Sequence, residues 1–219
     1  MQDPLSEKYY AYSPYNYCVN NPVMFVDPEG EEHRVSYNHR NRTITVYATY
    51  YTNIESIKSL TQAIKFYNSR TNDKYTYSGQ EYSIIYNLSY VKVSNSTLNK
   101  EVKDLLTSPY QNIYKIVDKI DNNTGKLGVI SGRAVGHKVI EIYEKYKDNS
   151  TTGAHEIGHT LHLVPTGMHS KTGLMTPYND ASRTAELTQE NINNMIESAK
   201  LDFWERVKNF VYNFLNGKE

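Results

Sequence analysis

The sequence holds few of the residues that mark several common protein classes. Cys18 is the only cysteine among 219 residues, so neither an internal disulfide nor a zinc site built from cysteines is possible. Lys and Arg together number 24, as do Asp and Glu, and this balance predicts no nucleic-acid partner. No run approaches the roughly 18 apolar residues of a membrane-spanning helix, so we expect no membrane insertion. The first residues, MQDPLSEKYY, lack the pattern of a signal peptide.

The composition of the chain changes near residue 30. Residues 1–30 hold four of the seven prolines and several aromatic residues, but they have no helical or alternating apolar pattern. From residue 31 onward, apolar residues recur at the periods of helices and strands. We therefore predict a separate N-terminal segment over 1–30 and one globular domain over 31–219.

Periodicity and turn residues predict an α+β fold for the globular domain, with a twisted mixed sheet, a backing helix and a second helix beneath the sheet. We expect strands at 43–51 and 82–93, a polar loop at 71–79 and a hairpin from 129–134 and 138–143. We expect helices at 54–68, 101–106, 111–120, 188–199 and 203–215. Thr52 or Asn53 is the expected cap of the first helix, and Thr188 of the helix at 188–199. A further helix, opened by Thr151 or Thr152, ends before Pro165.

The pattern HExxH, formed by His155, Glu156 and His159, carries the chemistry. On a helix, residues i and i+4 lie on one face, so both imidazoles can reach one zinc ion. Glu156 would lie at the edge of that face, where a carboxylate can take a proton from metal-bound water and pass it to a leaving amine. Because the pattern also arises by chance, its surroundings decide its meaning.

The surroundings of the pattern favour a zinc site. Gly158 permits tight packing of the helix. Pro165 and Gly167 end the helical pattern, and His169 and a Gly-Leu-Met sequence follow them. HEIGHTLHLV followed by HSKTGLM resembles the metzincin zinc peptidases, whose pattern is HExxHxxGxxH (or Asp last) and then a turn with a Met under the metal. The likeness is close over 152–178 and looser over 43–178. It implies a zincin fold, a Zn2+ cofactor and Met175 as the Met of the turn.

The third metal ligand departs from the family pattern, because His162 stands at the family's glycine and Pro165 at its ligand position. His162 lies seven residues past the first histidine, roughly 10 Å along a straight helix, which is too far for three ligands in one row to converge on one ion. His169 follows the helix break and precedes Met175 by six residues. We therefore favour His169 as the ligand and His162 as a packing residue. Glu186 stays open by analogy with zinc peptidases that use a downstream glutamate.

Tyr178 is a further candidate by resemblance. In some metzincins a tyrosine after the Met of the turn donates a hydrogen bond to the developing oxyanion. Tyr178 stands one residue further along than in that pattern, so a packed surface tyrosine is the favoured interpretation.

The N-terminal segment DPLSEKYYAYSPYNYCVNNPVMFVDPEG resembles the end of the Rhs-repeat-associated core of large Rhs/YD-repeat proteins. The matching residues are Asp3-Pro4-Leu5, Ser13-Pro14-Tyr15, Tyr17, Asn20-Asn21-Pro22 and Asp27-Pro28-Glu29-Gly30. The resemblance implies that 1–30 closes a β-cage and that 31–219 is the delivered C-terminal effector, exported within the larger parent protein. Such cages often cut themselves after this motif, but Glu31 replaces the usual hydrophobic residue there.

Together these patterns predict a zinc endopeptidase that is the toxin or effector of an Rhs-type protein. Its expected partners are a protein or peptide substrate, the parent cage and an immunity protein that protects the producing cell. Two alternatives stay open: a metal-stabilised, non-catalytic interaction module, and a zinc hydrolase that acts on peptidoglycan cross-links.

Overall fold

The computed structural model of the protein describes residues 33–98, 111–118, 131–135, 138–165, 168–177 and 180–199. These residues form an α+β fold with a mixed sheet, as predicted. The strands are β1 (Arg34–Asn38), β2 (Thr43–Thr52), β3 (Lys74–Tyr77), β4 (Gln80–Lys92), β5 (Gln111–Val117), β6 (Gly132–Val135) and β7 (Val139–Tyr143). The helices are α1 (Ile57–Asn68), α2 (Asn95–Leu98), α3 (Ser150–Thr160) and α4 (189–199), with a 3-10 turn at Glu144–Tyr146.

The sheet has the strand order β3-β4-β2-β5-β7-β6. Its four central strands run parallel, with β2 between β4 and β5, and β5 beside β7. The outer strands β3 and β6 are antiparallel to their neighbours. Strand β1 pairs with the first half of β2, on the side where β5 pairs with the second half. The predicted hairpin is thus present as β6 and β7, with β6 at the edge of the described sheet.

One face of the sheet carries the main core. Residues along β2 alternate between half-buried and fully buried, so Ile44, Val46, Ala48 and Tyr50 point to one side. Helices α1 and α3 pack on this side and contact each other. Each large apolar side chain buried there stabilises the fold by about 1.5–3 kcal/mol. Helix α3, which carries the HExxH pattern, is therefore held against the sheet and beside α1.

Buried tyrosine hydroxyls attach the helices to this core. The Tyr67 hydroxyl of α1 donates to the carbonyl of Ala154 in α3 at 2.7 Å. Tyr50 of β2 shares a hydrogen bond of 2.9 Å with Thr160 at the end of α3. Tyr114 of β5 bonds Ser59 of α1 at 2.7 Å, and its ring lies against Gly153 of α3. These bonds satisfy polar atoms that would otherwise be costly to bury, and they fix the axial position of α3.

Three predictions of secondary structure are wrong. Residues 111–117, expected within a helix, form the central strand β5 instead. Strands β2 and β7 run parallel to it on either side and provide hydrogen-bond partners for its backbone, which favours the strand. The polar loop at 71–79 contains strand β3, because its tyrosines pack against β4. Helix α1 begins at Ile57, later than expected, because Asn53 accepts a hydrogen bond from the Ser56 amide and closes a turn first.

Several expectations fall on other parts of the chain. Residues 1–30 and the helices expected at 101–106 and 203–215 lie outside the described residues. Within the described ranges, no helix combines the length and apolarity needed to cross a membrane.

Candidate metal centre

Helix α3 begins at an asparagine cap. The side-chain oxygen of Asn149 accepts hydrogen bonds from the amides of Thr151 and Thr152, at 3.0 and 3.2 Å. The expectation that Thr151 or Thr152 is the cap is therefore wrong, because both already lie inside the first turn. The cap satisfies two of the four amides that a helix start leaves without partners.

Helix α3 ends at Thr160, and His162, which stands at the position of the family's glycine, follows its C-cap Leu161. His162 has a φ of 54°, in the left-handed region that glycine normally occupies. Its amide bonds the carbonyl of His159, and the amide of Leu163 bonds that of Gly158, which together form a Schellman motif. The His162 ring contacts the ring of His33 at 5.7 Å. His162 therefore forms part of the turn that closes the helix and packs against His33, and it does not belong to the group of histidines that could hold a metal.

The side chains of His155, His159 and His169, called here the histidine triad, form a group that could hold a metal ion. Their ligand nitrogens all lie within 4.8 Å of one another. The ring centroids form a nearly equilateral triangle, with separations of 4.9, 5.3 and 5.3 Å. The Nε2 atoms of His155 and His159 are 3.2 Å apart. Two nitrogens bound tetrahedrally to zinc at about 2.05 Å would be ~3.3 Å apart, so the spacing fits a shared ion.

The tautomer of His155 is fixed by the backbone. His155 is buried, and its Nδ1 donates a 2.8 Å hydrogen bond to the carbonyl of Leu174. A carbonyl only accepts, so Nδ1 carries the proton and Nε2 keeps its lone pair for a ligand role. Burial, followed by the proximity of His159, lowers the pKa of His155 to about 3. Burial also lowers the pKa of His169, assisted by the charge of Arg183. Neutral imidazoles are the form that binds metals.

Met175 lies under the helix that carries the first two histidines. Its side chain is fully buried and touches α3 at Gly158, where an added Cβ would collide with the Met175 sulfur. The turn is held by bonds from the Ser170 amide to the Met175 carbonyl, at 2.9 Å, and from the Leu174 amide to the Glu186 carbonyl, at 2.7 Å. Gly158 therefore permits the close approach that brings the Leu174 carbonyl to His155.

Glu156 is buried beside the triad, beneath the edge strand β6. A Cβ placed on Gly132 of β6 would lie 2.9 Å from Glu156 Cγ and 3.1 Å from Glu156 Oε1. Burial raises the pKa of Glu156 to about 8, and the positive charge of Arg183 counteracts part of that rise. This carboxyl group can therefore exchange a proton near neutral pH.

Arg183 is a charged neighbour of the site that sequence reasoning missed. Its Nη2 donates to the carbonyl of Thr151 in the first turn of α3 at 3.1 Å. A tight turn holds it in place, since the Arg183 amide bonds the Asp180 carbonyl and the Asp180 carboxylate accepts from Ser182. Arg183 affects the pKa values of His155, Glu156 and His169. No local sequence pattern singles it out, because its role depends on how the loop folds back onto α3.

The other sequence candidates lie apart from this group or outside the described residues. Glu186 has an exposed side chain that pairs with Arg70 at 3.6 Å, and it is not part of the triad. Tyr178 lies outside the described residues. Among the residues proposed as ligands, the structure thus brings together His155, His159 and His169, and it separates His162 and Glu186 from them.

No protein-family model matches the chain, and a search of curated proteins finds no significant match. The interpretation of the site therefore depends on its own geometry and on the motif resemblances.

Proposed function

We propose that the histidine triad and Glu156 form the active site of a metal-dependent hydrolase. Within that class, the best fit is a zinc endopeptidase that resembles the metzincins. The observation that carries this proposal is the convergence of three imidazoles, with ligand atoms within 4.8 Å, next to one buried carboxyl group. Three protein ligands leave a coordination position open, which is typical of catalytic zinc sites and not of structural ones.

The donor set suits zinc. Imidazole nitrogens are common zinc ligands, and the separation of the two Nε2 atoms agrees with tetrahedral binding. The Leu174 carbonyl orients His155 as outer partners of zinc-bound histidines do. When bound in such a site, zinc acts as a Lewis acid that brings the pKa of a bound water to about 7.

Glu156 is the proposed general base. Its carboxylate takes a proton from the water that attacks the peptide carbonyl and then delivers that proton to the leaving amine. A pKa near 8 in the metal-free protein means that the buried environment lets the side chain hold this proton between the two steps. Arg183 favours the ionised form that starts the cycle.

Strand β6 is the proposed site of substrate backbone binding. It forms the edge of the described sheet, and Gly132 places its backbone directly over Glu156. An extended peptide that added to this edge would run past the proposed base. Since an antiparallel edge strand above the HExxH helix also fits the metzincin likeness, the fold and the motif support the same interpretation.

The proposed biological role is that of a delivered effector. It follows from the likeness of 1–30 to the end of an Rhs-associated core, which makes 31–219 the variable C-terminal domain. A protease released into other cells requires a protective partner in the producer, so we propose an immunity protein that binds this domain. The parent cage would supply the export route.

Zinc content and cleavage by two glutamate variants test the proposed chemistry. Glu156→Gln keeps the shape of the side chain but removes the proton acceptor, so zinc binding should persist while peptide cleavage falls by orders of magnitude. Glu190→Gln, a change at an exposed glutamate of α4, is the matched control and should be fully active. His155→Ala should lose both zinc and activity.

Each departure from these results has a defined meaning. If protein that was never exposed to a chelator binds no zinc, the peptidase proposal is refuted. Zinc binding without hydrolysis of any protein or peptide would favour the non-catalytic module. Hydrolysis of peptidoglycan cross-links alone would favour the rival hydrolase.

Expression of 31–219 in a susceptible cell should be toxic for wild type and harmless for Glu156→Gln. Equal toxicity of the two proteins would mean that catalysis is not the cause.

A further inference from the structure

The segment that carries His169 is attached to α4 on both sides of the ligand. Its described residues, 163–165 and 168–170, have no regular secondary structure, yet a single side chain contacts both ends of the segment. Asn191, in the first turn of α4, is fully buried. Its Nδ2 donates to the carbonyl of Leu163 and to the hydroxyl of Ser170, both at 2.9 Å. Leu163 follows the end of α3, and Ser170 is the residue after His169.

Asn191 is itself held rigidly by a reciprocal cap with Thr188. The Asn191 amide donates to the Thr188 hydroxyl at 3.2 Å, and the Asn191 side-chain oxygen accepts from the Thr188 amide at 3.1 Å. This arrangement fixes the start of α4 in the manner of a capping box. It also fixes which side-chain atom is nitrogen, because the oxygen faces an amide and the other atom faces a carbonyl.

We propose that Asn191 is a positioning residue for the metal centre, which clamps the two ends of the 163–170 segment and so sets where His169 meets the other two histidines. His169 is exposed, and on the described chain its backbone is restrained mainly through its neighbours. Without the clamp, the ends could separate, and metal binding would have to restore the geometry at a free-energy cost. The inference rests on the proposed function only in that the triad must bind a metal.

Asn194 provides a matched comparison. Its Nδ2 also donates to the Leu163 carbonyl, at 3.2 Å, but no bond joins it to Ser170. It lies on the same helix, one turn further along, and is part of neither the triad nor the cap. A change at Asn194 therefore perturbs α4 and one end of the segment, and it leaves the contact next to His169 intact.

Asn191→Asp is the test variant. Aspartate has the same shape, keeps the acceptor for the Thr188 amide and suits the start of a helix. It replaces the donor by an oxygen that faces the Leu163 carbonyl. We expect zinc affinity, measured by competition with a chelator, to fall 10–100-fold, as for other outer partners of zinc ligands. The visible spectrum of the Co2+-loaded protein should change as well. Asn194→Asp should leave both measurements close to wild type.

Ser170→Ala is a second test variant, which distinguishes the proposed role of Asn191 from a folding defect. It removes only the acceptor next to His169 and leaves Asn191 in place. It should also weaken zinc binding, and the double variant should lose no more affinity than the weaker-binding single variant, since both act through one bond. Melting of the metal-free proteins shows whether the fold is retained.

The outcomes separate this inference from the proposed function. If wild type binds no zinc, the proposed function fails. If wild type binds zinc and His155→Ala does not, but Asn191→Asp and Ser170→Ala bind as wild type does, only the positioning role of Asn191 is overturned. An equal loss of affinity in Asn194→Asp would also overturn it, because the effect would then belong to α4 as a whole.

Discussion

Gly158→Ala should disturb the proposed metal centre even though alanine is the better helix former. In an exposed helix, this substitution stabilises by about 1 kcal/mol. At Gly158, however, the new Cβ would collide with the Met175 sulfur and lie 2.9 Å from Leu163 Cδ1. Either Met175 or the helix must therefore move.

The size of the effect follows from two opposing terms. Overpacking of a core costs about 1–3 kcal/mol, so after the gain in helix propensity we expect the metal-free protein to lose ~0–2 kcal/mol of stability. The effect on the metal should be larger. Met175 follows Leu174, whose carbonyl holds His155 Nδ1, so a displaced turn disturbs the first ligand. Zinc affinity should fall by roughly 10-fold or more.

Gly153→Ala is the matched control for this prediction. It lies on the same helix and gains the same propensity, but its Cβ would meet the Tyr114 hydroxyl at 2.7 Å and Ala63 Cβ at 3.0 Å, on the side of α1. Chemical unfolding of both metal-free variants and chelator competition for zinc separate the two effects. Gly153→Ala should lose stability and keep its intrinsic zinc affinity. A Gly158→Ala protein that is more stable than wild type, with unchanged zinc affinity, would refute the reasoning.

Three further predictions concern pH, the helix end and the edge strand. In metal-free protein, burial raises the pKa of Glu156 from 4.5 to about 8, so its contribution to stability is complete below pH 4.5 and is lost as pH rises to 8. The difference in unfolding free energy between wild type and Glu156→Gln should change by ~3–5 kcal/mol over that pH range. A difference that does not depend on pH would contradict the raised pKa of Glu156. His162→Gly should be more stable than His162→Ala by about 1 kcal/mol, because of the positive φ, with zinc affinity retained in both. Gly132→Ala should displace Glu156 and so lower kcat by up to ~100-fold, while zinc stays bound. An unchanged kcat would mean that strand β6 moves to accommodate the methyl group and Glu156 stays in place.

The local part of the site was predictable from sequence. The i, i+4 spacing of His155 and His159 has one meaning on a helix, and the break at Pro165 indicated that the third ligand had to come from chain that folds back. The structure groups His169 with them and leaves His162 outside, in agreement with the distance argument. The distance argument used only the rise of a helix and the length of a metal bond, and the assignment of His169 as the third ligand stays a prediction.

The parts that depend on distant neighbours were not predictable. Residues 111–117 have apolar side chains that fit a helix or a buried strand equally well, and only their place between β2 and β7 decides. Arg183 and Asn191 are held near the site by hydrogen bonds to the carbonyls of Thr151 and Leu163. A carbonyl acceptor leaves no trace in the identity of its residue, so no sequence pattern marks these contacts.

The buried tyrosines around α3 also provide an absorbance signal that reports whether the protein is folded. Burial raises the pKa of Tyr50, Tyr67 and Tyr114 above the ordinary value of 10, so these phenols stay protonated in the folded state at pH values where a free tyrosine in water ionises. Their contribution to stability is complete below pH 10 and is lost as pH rises further. In an alkaline titration followed by tyrosinate absorbance, this group should therefore ionise only when the fold opens. Because Tyr50 and Tyr67 bond α3 directly and Tyr114 packs against it, the rise in tyrosinate absorbance also indicates the pH at which α3 separates from the core.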